Sequence, residues 1–355
     1  MRPGTEAELA EAVRDARGPV VVRGGGTRAL GACAGDVLET GGLRGIVLHE
    51  PGALTLVAKA GTPVAEVEAA LAAEGQRLAF EVPDMRRLLG RAGQSTIGGV
   101  VAANASGPRR VQVGAARDFV LGVRFVDGEG RIVKNGGRVM KNVTGYDLAK
   151  LLSGSHGTLG VLTEVGLKVL PAPAAAATLV LEGLDDAAAV AAMARALGSP
   201  YEVSGAAHWP GRGTYLRLEG LAAQVDHRAR ALQAMLGGRV EAEGPWADIR
   251  DVAPFAGVQG DVWRLSLRAT DAPGLVARAG ALGCLYDWGG GLVWLLVAPG
   301  TDLRARLGDF AGHATLVRGT GAPVFQPEPA PVAALAAGLR ARFDPRGLFN
   351  AGLMA

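Results

Sequence analysis

Residues 178–318 contain the same predicted order of strands and helices twice. The first copy reads strand, helix, strand, strand, helix, strand over residues 178–183, 185–197, 201–208, 214–220, 222–236 and 239–243. After a connection at 245–260, the second copy repeats that order over residues 262–268, 273–282, 284–288, 292–298, 301–311 and 314–318. A β-α-β-β-α-β unit is typical of ferredoxin-like folds, in which an antiparallel sheet carries its helices on one face. The pattern therefore predicts an α+β fold for this part of the chain.

The residues before this repeat follow a less regular pattern. An amphipathic helix is predicted at 5–17, where Thr5 is the N-cap and Glu8 completes a capping box. A hairpin is predicted at 119–134, and a strand at 161–170 ends before a Pro-Ala run at 171–177. We take that run as a boundary and predict three units: a first domain at 1–172, a ferredoxin-like cap or substrate domain at 178–320, and a C-terminal helix and tail at 321–355 that packs back on the first domain.

Composition excludes several classes of protein. The chain has 37 basic and 34 acidic residues, so its near balance of charge does not indicate a nucleic-acid partner. Cys33 and Cys284 stand alone, which gives no support to a metal site, iron–sulfur ligation or a disulfide framework and fits a reducing compartment. No stretch of about 18 apolar residues is present, and the N-terminus has no apolar signal segment. We therefore expect a cytoplasmic protein without a transmembrane segment.

A β-branched strand at 19–23 stops at Gly24, Gly25 and Gly26. Consecutive glycines can point several backbone N–H groups at one spot, which makes an anion-binding concavity, and Arg23 or Arg28 would add charge. Gly24, Gly26 and Ala29 also satisfy the G-x-G-x-x-A dinucleotide pattern, which needs a helix to begin within it. More glycines interrupt the residues that follow, so the pattern favours a phosphate loop of another kind over a Rossmann site. A purely structural turn is the remaining alternative.

Two further segments are small and rich in hydroxyl groups. They are Ser95–Gly99 running through Asn104–Gly107, and Gly154–Val161. Helix packing or tight turns explain either segment alone. Together with the glycine loop, they indicate a long flat cofactor that is enclosed by backbone rather than by large side chains.

The order R-G-G-G-T, P-D before S-T-I-G-G, A-N-A-S-G, G-Y-D-L and G-S-H-G-T-L-G-V-L-T-E resembles the FAD domain of vanillyl-alcohol-oxidase (PCMH-type) flavoproteins. This resemblance covers roughly residues 1–172 and implies a domain of two α+β subdomains. It also implies that residues 24–28 hold the FAD pyrophosphate, while 95–107 and 157–161 line the flavin. Thr27 stands where several relatives carry a flavin-linking histidine, so the FAD is expected to be non-covalent. The implied cofactor-binding residues are Arg23, Gly24, Gly25, Gly26, Thr27, Arg28, Pro83, Thr96, Gly98, Gly99, Asn104, Ser106, Gly107, Gly157, Thr158, Gly160 and Val161.

Segments farther along resemble the FAD-binding subunits of bacterial glycolate oxidases. They lie at 107–110, 117–122, 139–148, 287–290, 312–315 and 343–350. The resemblance implies oxidation of glycolate or a similar 2-hydroxy acid, a larger homologous FAD subunit and an iron–sulfur subunit as partners. It also implies peripheral placement, through those partners, at the inner face of a membrane.

Oxidation of a 2-hydroxy acid at a flavin needs a cation for the carboxylate, a base near the hydroxyl group and a donor at the flavin. Arg109 and Arg110, directly after the A-N-A-S-G segment, are the candidate carboxylate ligands. Ion pairs at a surface or between subunits are the alternative interpretation of both. Lys141 and Tyr146 are the candidates to reach the isoalloxazine edge.

The histidines are scattered at positions 49, 156, 208, 227 and 313. Relatives that oxidise 2-hydroxy acids carry a C-terminal His-rich metal motif that has no match here, so we predict no metal and expect a homologous partner to perform most of the substrate chemistry. His156 is interpreted as a solvated loop residue, and His208 and His313 as structural. A scaffold subunit that keeps the fold without turnover and a stand-alone flavin oxidase remain as alternatives.

Overall fold

The computed structural model describes residues 1–28, 30–137 and 145–354. Its first half combines short helices with three small sheets. The helices are α1 (Glu6–Asp15), α2 (Val64–Ala73), α3 (Arg86–Leu89), α4 (Ile97–Ala102), α5 (Arg110–Val113) and α6 (Leu148–Leu152). The strands are β1 (Val20–Arg23), β2 (Asp36–Glu39), β3 (Ile46–Glu50), β4 (Thr55–Lys59), β5 (Gln76–Arg77), β6 (Val120–Val126), β7 (Ile132–Gly136), β8 (Val161–Lys168) and β9 (Leu170–Pro171).

These elements form two α+β subdomains. In the first, α1 begins at Thr5, whose hydroxyl accepts the N–H of Glu8, and packs with the parallel pair β1–β2. In the second, an antiparallel sheet of order β3-β4-β8-β6-β7 packs with α2, α4 and α6 around one apolar core. The predicted helix at the N-terminus and the predicted hairpin are both present. The stretch 83–107 contains α3 and α4, and Thr96 caps the second of these by accepting the N–H of Gly99.

The second half repeats one supersecondary unit. Its helices are α7 (Asp186–Leu197), α8 (Ala222–Leu236), α9 (Trp246–Arg250), α10 (Ala272–Ala279) and α11 (Leu303–Leu307). Its strands are β10 (Ala175–Leu181), β11 (Gly205–Trp209), β12 (Gly213–Gly220), β13 (Arg239–Glu241), β14 (Asp261–Leu267), β15 (Gly283–Asp287), β16 (Leu292–Val297) and β17 (Gly312–Arg318). A last helix, α12 (Ala330–Phe343), follows the second copy.

All eight strands of the second half join one antiparallel sheet of order β13-β10-β12-β11-β15-β16-β14-β17. Each copy has the ferredoxin-like order 4-1-3-2, and the copies meet where His208 of β11 pairs with Tyr286 of β15. The prediction of two β-α-β-β-α-β units with an antiparallel sheet is confirmed. Several predicted elements are shorter than expected. For example, the strand expected from 201 begins at Gly205, and the helix expected to end at 311 ends before Gly308, which has a φ of 66°.

The two faces of this sheet have different partners. Helices α7, α8, α10 and α11 cover one face, where the largest apolar core lies. On the other face, Val180, Val262 and Leu285 pack against α9 and against Met85 and Leu88 of the first half. The second face of the sheet therefore packs toward the first half of the chain.

A cluster of buried ion pairs joins the halves. Glu219 of β12 accepts from Arg77 at 2.5 Å and from Arg109 at 3.0 Å, both of which belong to the first half. Arg217 of the same strand donates to Glu81 at 2.8 Å. Although burial opposes its ionisation, the hydrogen bond from Arg109 and the charges of the surrounding arginines lower the pKa of Glu219 to about 2. The cluster therefore stays ionised at neutral pH.

The residues after α12 return to the first subdomain. Val20 donates its N–H to the carbonyl of Leu348 at 2.7 Å, and Asn350 donates its N–H to the carbonyl of Val20 at 3.0 Å. Leu348 and Phe349 are buried in the same small core as α1 and β1. Within the part of the chain that the structure describes, no helix has the length and apolar character needed to cross a membrane.

Candidate functional site

The glycine loop after β1 is shaped by main chain that leaves no room for side chains. A Cβ atom at Gly25 would lie 1.5 Å from the carbonyl oxygen of Gln94, and one at Gly24 would lie 2.6 Å from the hydroxyl of Thr96. Gly26 has a φ of 71°, which L side chains rarely adopt. No helix begins at residues 24–28 or 30–35, so the loop does not form a Rossmann site.

All three glycine-rich segments meet at one cavity of about 140 Å³. Its lining includes Arg23–Arg28, Thr96, Gly98 and Gly99 of the second segment, and Gly157 and Gly160 of the third. Arg28, Ala103 and His156 also line a second cavity of about 410 Å³, so the two cavities are neighbours. An elongated groove bordered by backbone fits FAD, because a long flat cofactor with a diphosphate in its middle needs this shape.

Arg28 lies where the two cavities meet. Its guanidinium donates to the hydroxyl of Ser95 at 3.2 Å and to the carbonyl of Pro83, while its Nε has no hydrogen-bond partner among the described residues. Burial lowers the pKa of Arg28 to about 10, so the group is still a cation at neutral pH. A buried cation whose Nε–H has no partner among the described residues fits the diphosphate of FAD, because a phosphate oxygen would accept from that N–H.

Other predicted cofactor residues have structural contacts that order the cavity walls. Pro83, Asn104 and Ser106 line the second cavity, and Asn104 accepts the N–H of Arg117 at 3.0 Å. Thr27 is buried in the wall of the first cavity. Gly107, Thr158 and Val161 do not line either cavity; the Thr158 hydroxyl, for example, donates to the carbonyl of Ser155 at 2.7 Å. Direct contact of these residues with FAD stays a prediction.

The second cavity is closed by the sheet of the second half. Arg264 and Ser266 lie two residues apart on β14, so both side chains face this cavity. In the sheet they pair with Thr315 and His313 of β17, which also line it. Sequence analysis did not identify these four residues as one site. Polar side chains at every second position of two strands were the available signal, because such residues share one face of a sheet.

Among the described residues, four arginines line this cavity, Arg28, Arg110, Arg117 and Arg264, and two of them, Arg110 and Arg264, lie against the ring of Trp288. The guanidinium carbon of Arg110 lies 4.4 Å from the ring centroid of Trp288, and that of Arg264 lies 5.2 Å from it. Among the residues described, neither guanidinium has a hydrogen bond or an ion pair to a carboxylate. Burial, reinforced by the charge of Arg110, lowers the pKa of Arg264 to about 10. Both side chains are therefore cations that face the cavity without a neutralising partner.

The titratable neighbours do not cancel this charge. Burial raises the pKa of Asp287 to about 8, against the hydrogen bond that its Oδ1 accepts from Trp288 N–H at 2.7 Å. This carboxyl is consequently mostly protonated at pH 7. Burial, together with repulsion from Arg264 and Arg110, lowers the pKa of His313. An electropositive pocket with a neutral imidazole is the result, and it suits an organic anion.

The predicted substrate ligands have different positions. Arg110 lines the cavity, whereas Arg109 is held in buried ion pairs with Glu219 and Glu81 of the same chain, so it is neither a cavity residue nor part of a surface or inter-subunit ion pair. The Tyr146 side chain is 87% exposed and lines neither cavity. Lys141 lies outside the described residues.

His156 is held within the site rather than in solvent. It lines both cavities, its ring centroid lies 5.0 Å from that of Phe325, and burial lowers its pKa to about 4. The interpretation as a solvated loop residue is therefore wrong, because the Gly154–Val161 segment turns inward between the subdomains. His208 is also buried, with its Nδ1 2.9 Å from the hydroxyl of Thr214. Within the described ranges, no group of three or more acidic, histidine or cysteine side chains is arranged to hold a metal ion.

Comparison with solved structures supports the predicted fold. The chain superimposes on two structures of alkyldihydroxyacetonephosphate synthase with TM-scores of 0.73 and 0.72, covering 99% of this chain and 76% of that one, at 15% and 16% sequence identity. At that identity the likeness concerns the fold alone. The predicted PCMH-type fold with a following α+β domain is confirmed.

Comparison with protein sequences identifies the family. A family model described as an FAD binding domain matches residues 1–136. The glycolate oxidase subunit GlcE of Escherichia coli is 37% identical over 351 residues, which cover 98% of this chain and 95% of that protein. The glycolate oxidase subunit GlcD of Bacillus subtilis is 36% identical over 179 residues, or 48% of this chain and 36% of GlcD. The D-2-hydroxyglutarate dehydrogenase of Xanthomonas citri is 33% identical over 192 residues, or 52% and 39% of the two chains.

These matches confirm both the resemblance and the predicted cofactor, FAD. They extend over the glycine loop and, for GlcE, over the sheet that closes the second cavity. The chain belongs to the family of FAD-dependent 2-hydroxy-acid oxidoreductases that includes the glycolate oxidase subunit GlcE.

Proposed function

We propose that this chain is the FAD-binding subunit of a complex that oxidises glycolate, or a similar small 2-hydroxy acid, to the 2-oxo acid. The observation that carries this proposal is the pair of unpaired cations, Arg110 and Arg264, at the cavity next to the glycine loop. The two arginines supply positive charge for a substrate carboxylate. The neighbouring cavity, with the glycine loop and Arg28, supplies backbone N–H groups and a cation for a diphosphate. The names of the relatives GlcE and GlcD support the choice of glycolate.

The cofactor's place follows from the two cavities. The backbone of residues 24–28 and the Arg28 guanidinium would hold the diphosphate, and the second and third glycine-rich segments would line the flavin. Thr27 offers no ring nitrogen for a covalent link, so FAD would be held by non-covalent contacts alone. Bound FAD supplies the two-electron acceptor for the hydrogen that leaves the substrate carbon.

The side chains of the second cavity have separate tasks in this proposal. Arg110 and Arg264 bind the substrate carboxylate and orient the hydroxyl-bearing carbon, and charge-assisted hydrogen bonds of this kind are strong in a partly desolvated site. His313 is neutral at pH 7, so an unprotonated ring nitrogen can accept the hydroxyl proton. Trp294 and Phe325 add apolar surface to the cavity lining.

Partners and placement in the cell belong to the same proposal. The relatives are named as subunits, which supports assembly with a larger homologous FAD subunit. The family resemblance supports an iron–sulfur subunit as the next electron carrier. In this arrangement the complex is cytoplasmic and peripheral to the inner face of the membrane through its partners.

An anaerobic titration of the purified, FAD-loaded chain with glycolate and with D-lactate tests the proposal. Bleaching of the flavin band is expected, and Arg264→Gln should raise the substrate concentration for half-bleaching roughly 100-fold, because a buried charged hydrogen bond is worth about 2–3 kcal/mol. Arg268→Gln is the matched control, because Arg268 is an exposed arginine directly after β14 and does not line the cavity; it should change this concentration less than about twofold.

Three outcomes separate the alternatives. Bleaching that depends on Arg264 supports intrinsic oxidation. Bound flavin that neither acid reduces assigns the chain the role of an electron carrier or scaffold and overturns intrinsic oxidation. A colourless chain after addition of FAD would contradict the cofactor site itself.

A further inference from the structure

We infer that Trp288 is the positioning residue of the anion site, because its indole holds Arg110 and Arg264 in place without neutralising them. This inference rests on the proposed carboxylate-binding function and deepens it. It concerns a residue that does not line either cavity and that stands behind the two arginines.

The first argument is the way in which two like charges are held together. Arg110 comes from α5 in the first half of the chain and Arg264 from β14 in the second half. Two guanidiniums that share one small region repel each other and need a partner. A carboxylate partner would cancel the charge available to a substrate, whereas the face of an indole attracts a cation and leaves its N–H groups free. Trp288 is the partner that both arginines share.

The second argument is that Trp288 itself is fixed from both halves of the chain. Its indole N–H donates to the carbonyl of Gly107 at 3.0 Å, three residues before Arg110. Its backbone N–H donates to the carboxyl group of Asp287, the last residue of β15 in the large sheet. The ring therefore ties the segment that carries Arg110 to the sheet that carries Arg264.

The third argument is the backbone conformation of this residue. Trp288 has a φ of 52°, a left-handed value that a bulky side chain adopts only when its surroundings impose it. Gly289 and Gly290 follow with φ values of 67° and 101°, so the turn has glycine where two further left-handed residues are needed. A strained tryptophan kept beside two glycines indicates that the ring is required at this position.

The experiment is calorimetric titration of oxalate, a non-oxidisable two-carbon carboxylate, into the FAD-loaded full-length chain. Trp288→Leu should weaken oxalate binding about tenfold, and Trp288→Phe, whose ring is a poorer cation acceptor, should fall between that variant and the native chain. Trp209→Leu is the matched control, because the guanidinium carbon of Arg212 lies 4.4 Å from the ring centroid of Trp209 and Trp209 does not line the cavity. This variant should change the oxalate Kd less than about twofold.

A double-mutant cycle separates positioning from a merely structural role. In an Arg264→Gln background, Trp288→Phe should weaken oxalate binding less than it does in the native background, because the ring acts through the arginine. Equal effects in both backgrounds, or an effect of Trp288→Phe no larger than that of Trp209→Leu, would overturn the inference. Failure of the native FAD-loaded chain to bind oxalate would overturn the carboxylate site and this inference together. The FAD-to-protein ratio, measured for every variant, shows whether the cofactor site is intact in each case.

Discussion

The side-chain amide of Asn350 donates to the carbonyl oxygen of His156 at 2.7 Å. The carbonyl oxygen of the same amide accepts the N–H of Val22 at 2.8 Å. One residue near the C-terminus therefore links the third glycine-rich segment to the strand that leads into the glycine loop. Asn350 has a φ of 45°, a value that asparagine tolerates better than most residues.

Replacement of Asn350 by Asp separates these two hydrogen bonds. The aspartate can still accept from Val22, but it cannot donate to His156, and its charge would face a carbonyl oxygen. We expect FAD to bind roughly 10-fold more weakly, because loss of a buried hydrogen bond costs about 1–2 kcal/mol. Fluorescence titration of the apoprotein with FAD measures this change. Unchanged FAD affinity in Asn350→Asp would show that the C-terminal tail does not order the site.

Gly25→Val should abolish retention of FAD while the second half stays folded. A Cβ atom at this position would overlap the carbonyl oxygen of Gln94 at 1.5 Å, so the loop must move away from its present path. Visible absorbance of the purified variant measures bound flavin. All five tryptophans lie in the second half, at positions 209–294, so their fluorescence reports mainly on that half, although Trp288 also contacts Gly107 of the first half.

Gly18→Val provides the control for that change. No atom lies within 4 Å of a Cβ atom built on Gly18, which precedes the same strand. This variant should keep a native FAD-to-protein ratio. Normal flavin content in Gly25→Val would mean that the phosphate loop has been assigned to the wrong residues.

Glu219→Gln should destabilise the chain by about 3 kcal/mol at neutral pH, since it leaves Arg77 without its carboxylate and Arg109 with Glu81 alone. The pKa of Glu219 is lowered from 4.5 to about 2 in the folded chain. Its stabilising contribution is therefore complete above about pH 4.5 and is lost as the pH falls toward 2. Urea unfolding of the native chain and the variant across this interval measures the difference.

The two unfolding free energies should converge as the pH approaches 2. Glu241→Gln removes an exposed ion pair with Arg239 and should change the free energy of unfolding by less than about 1 kcal/mol. A constant difference between Glu219→Gln and the native chain at all pH values would contradict the lowered pKa.

Much of the fold was predictable because local patterns agree with the global arrangement. The strands and helices of the second half alternate with clear turn residues, and helix α8 has the predicted bounds, 222–236. Predictions were less successful where a tertiary contact decides the structure. Residues 170–171 pair with Gln76 and Arg77, and β10 begins at Ala175, so the expected Pro-Ala boundary lies partly within strands.

The candidate site was predictable only on the cofactor side. Glycines occur where the backbone has a conformation or a close contact that excludes a side chain. Because such positions are visible in the local sequence, the three glycine-rich segments could be recognised as cofactor-binding candidates. Part of the cavity's charge comes from Arg264, which looks like an ordinary strand residue until β14 is placed opposite the glycine-rich half. Arg109 and Arg110 were indistinguishable in sequence, because the carboxylates that engage Arg109 lie 28 and 110 residues away.

The contact of Val20 with Leu348 and Asn350 bears on how the protein is made. A strand synthesised early stays without its last neighbours until residues near 350 have emerged from the ribosome. The strand that leads into the glycine loop is therefore completed by its last neighbours only once nearly all of this sequence has been translated.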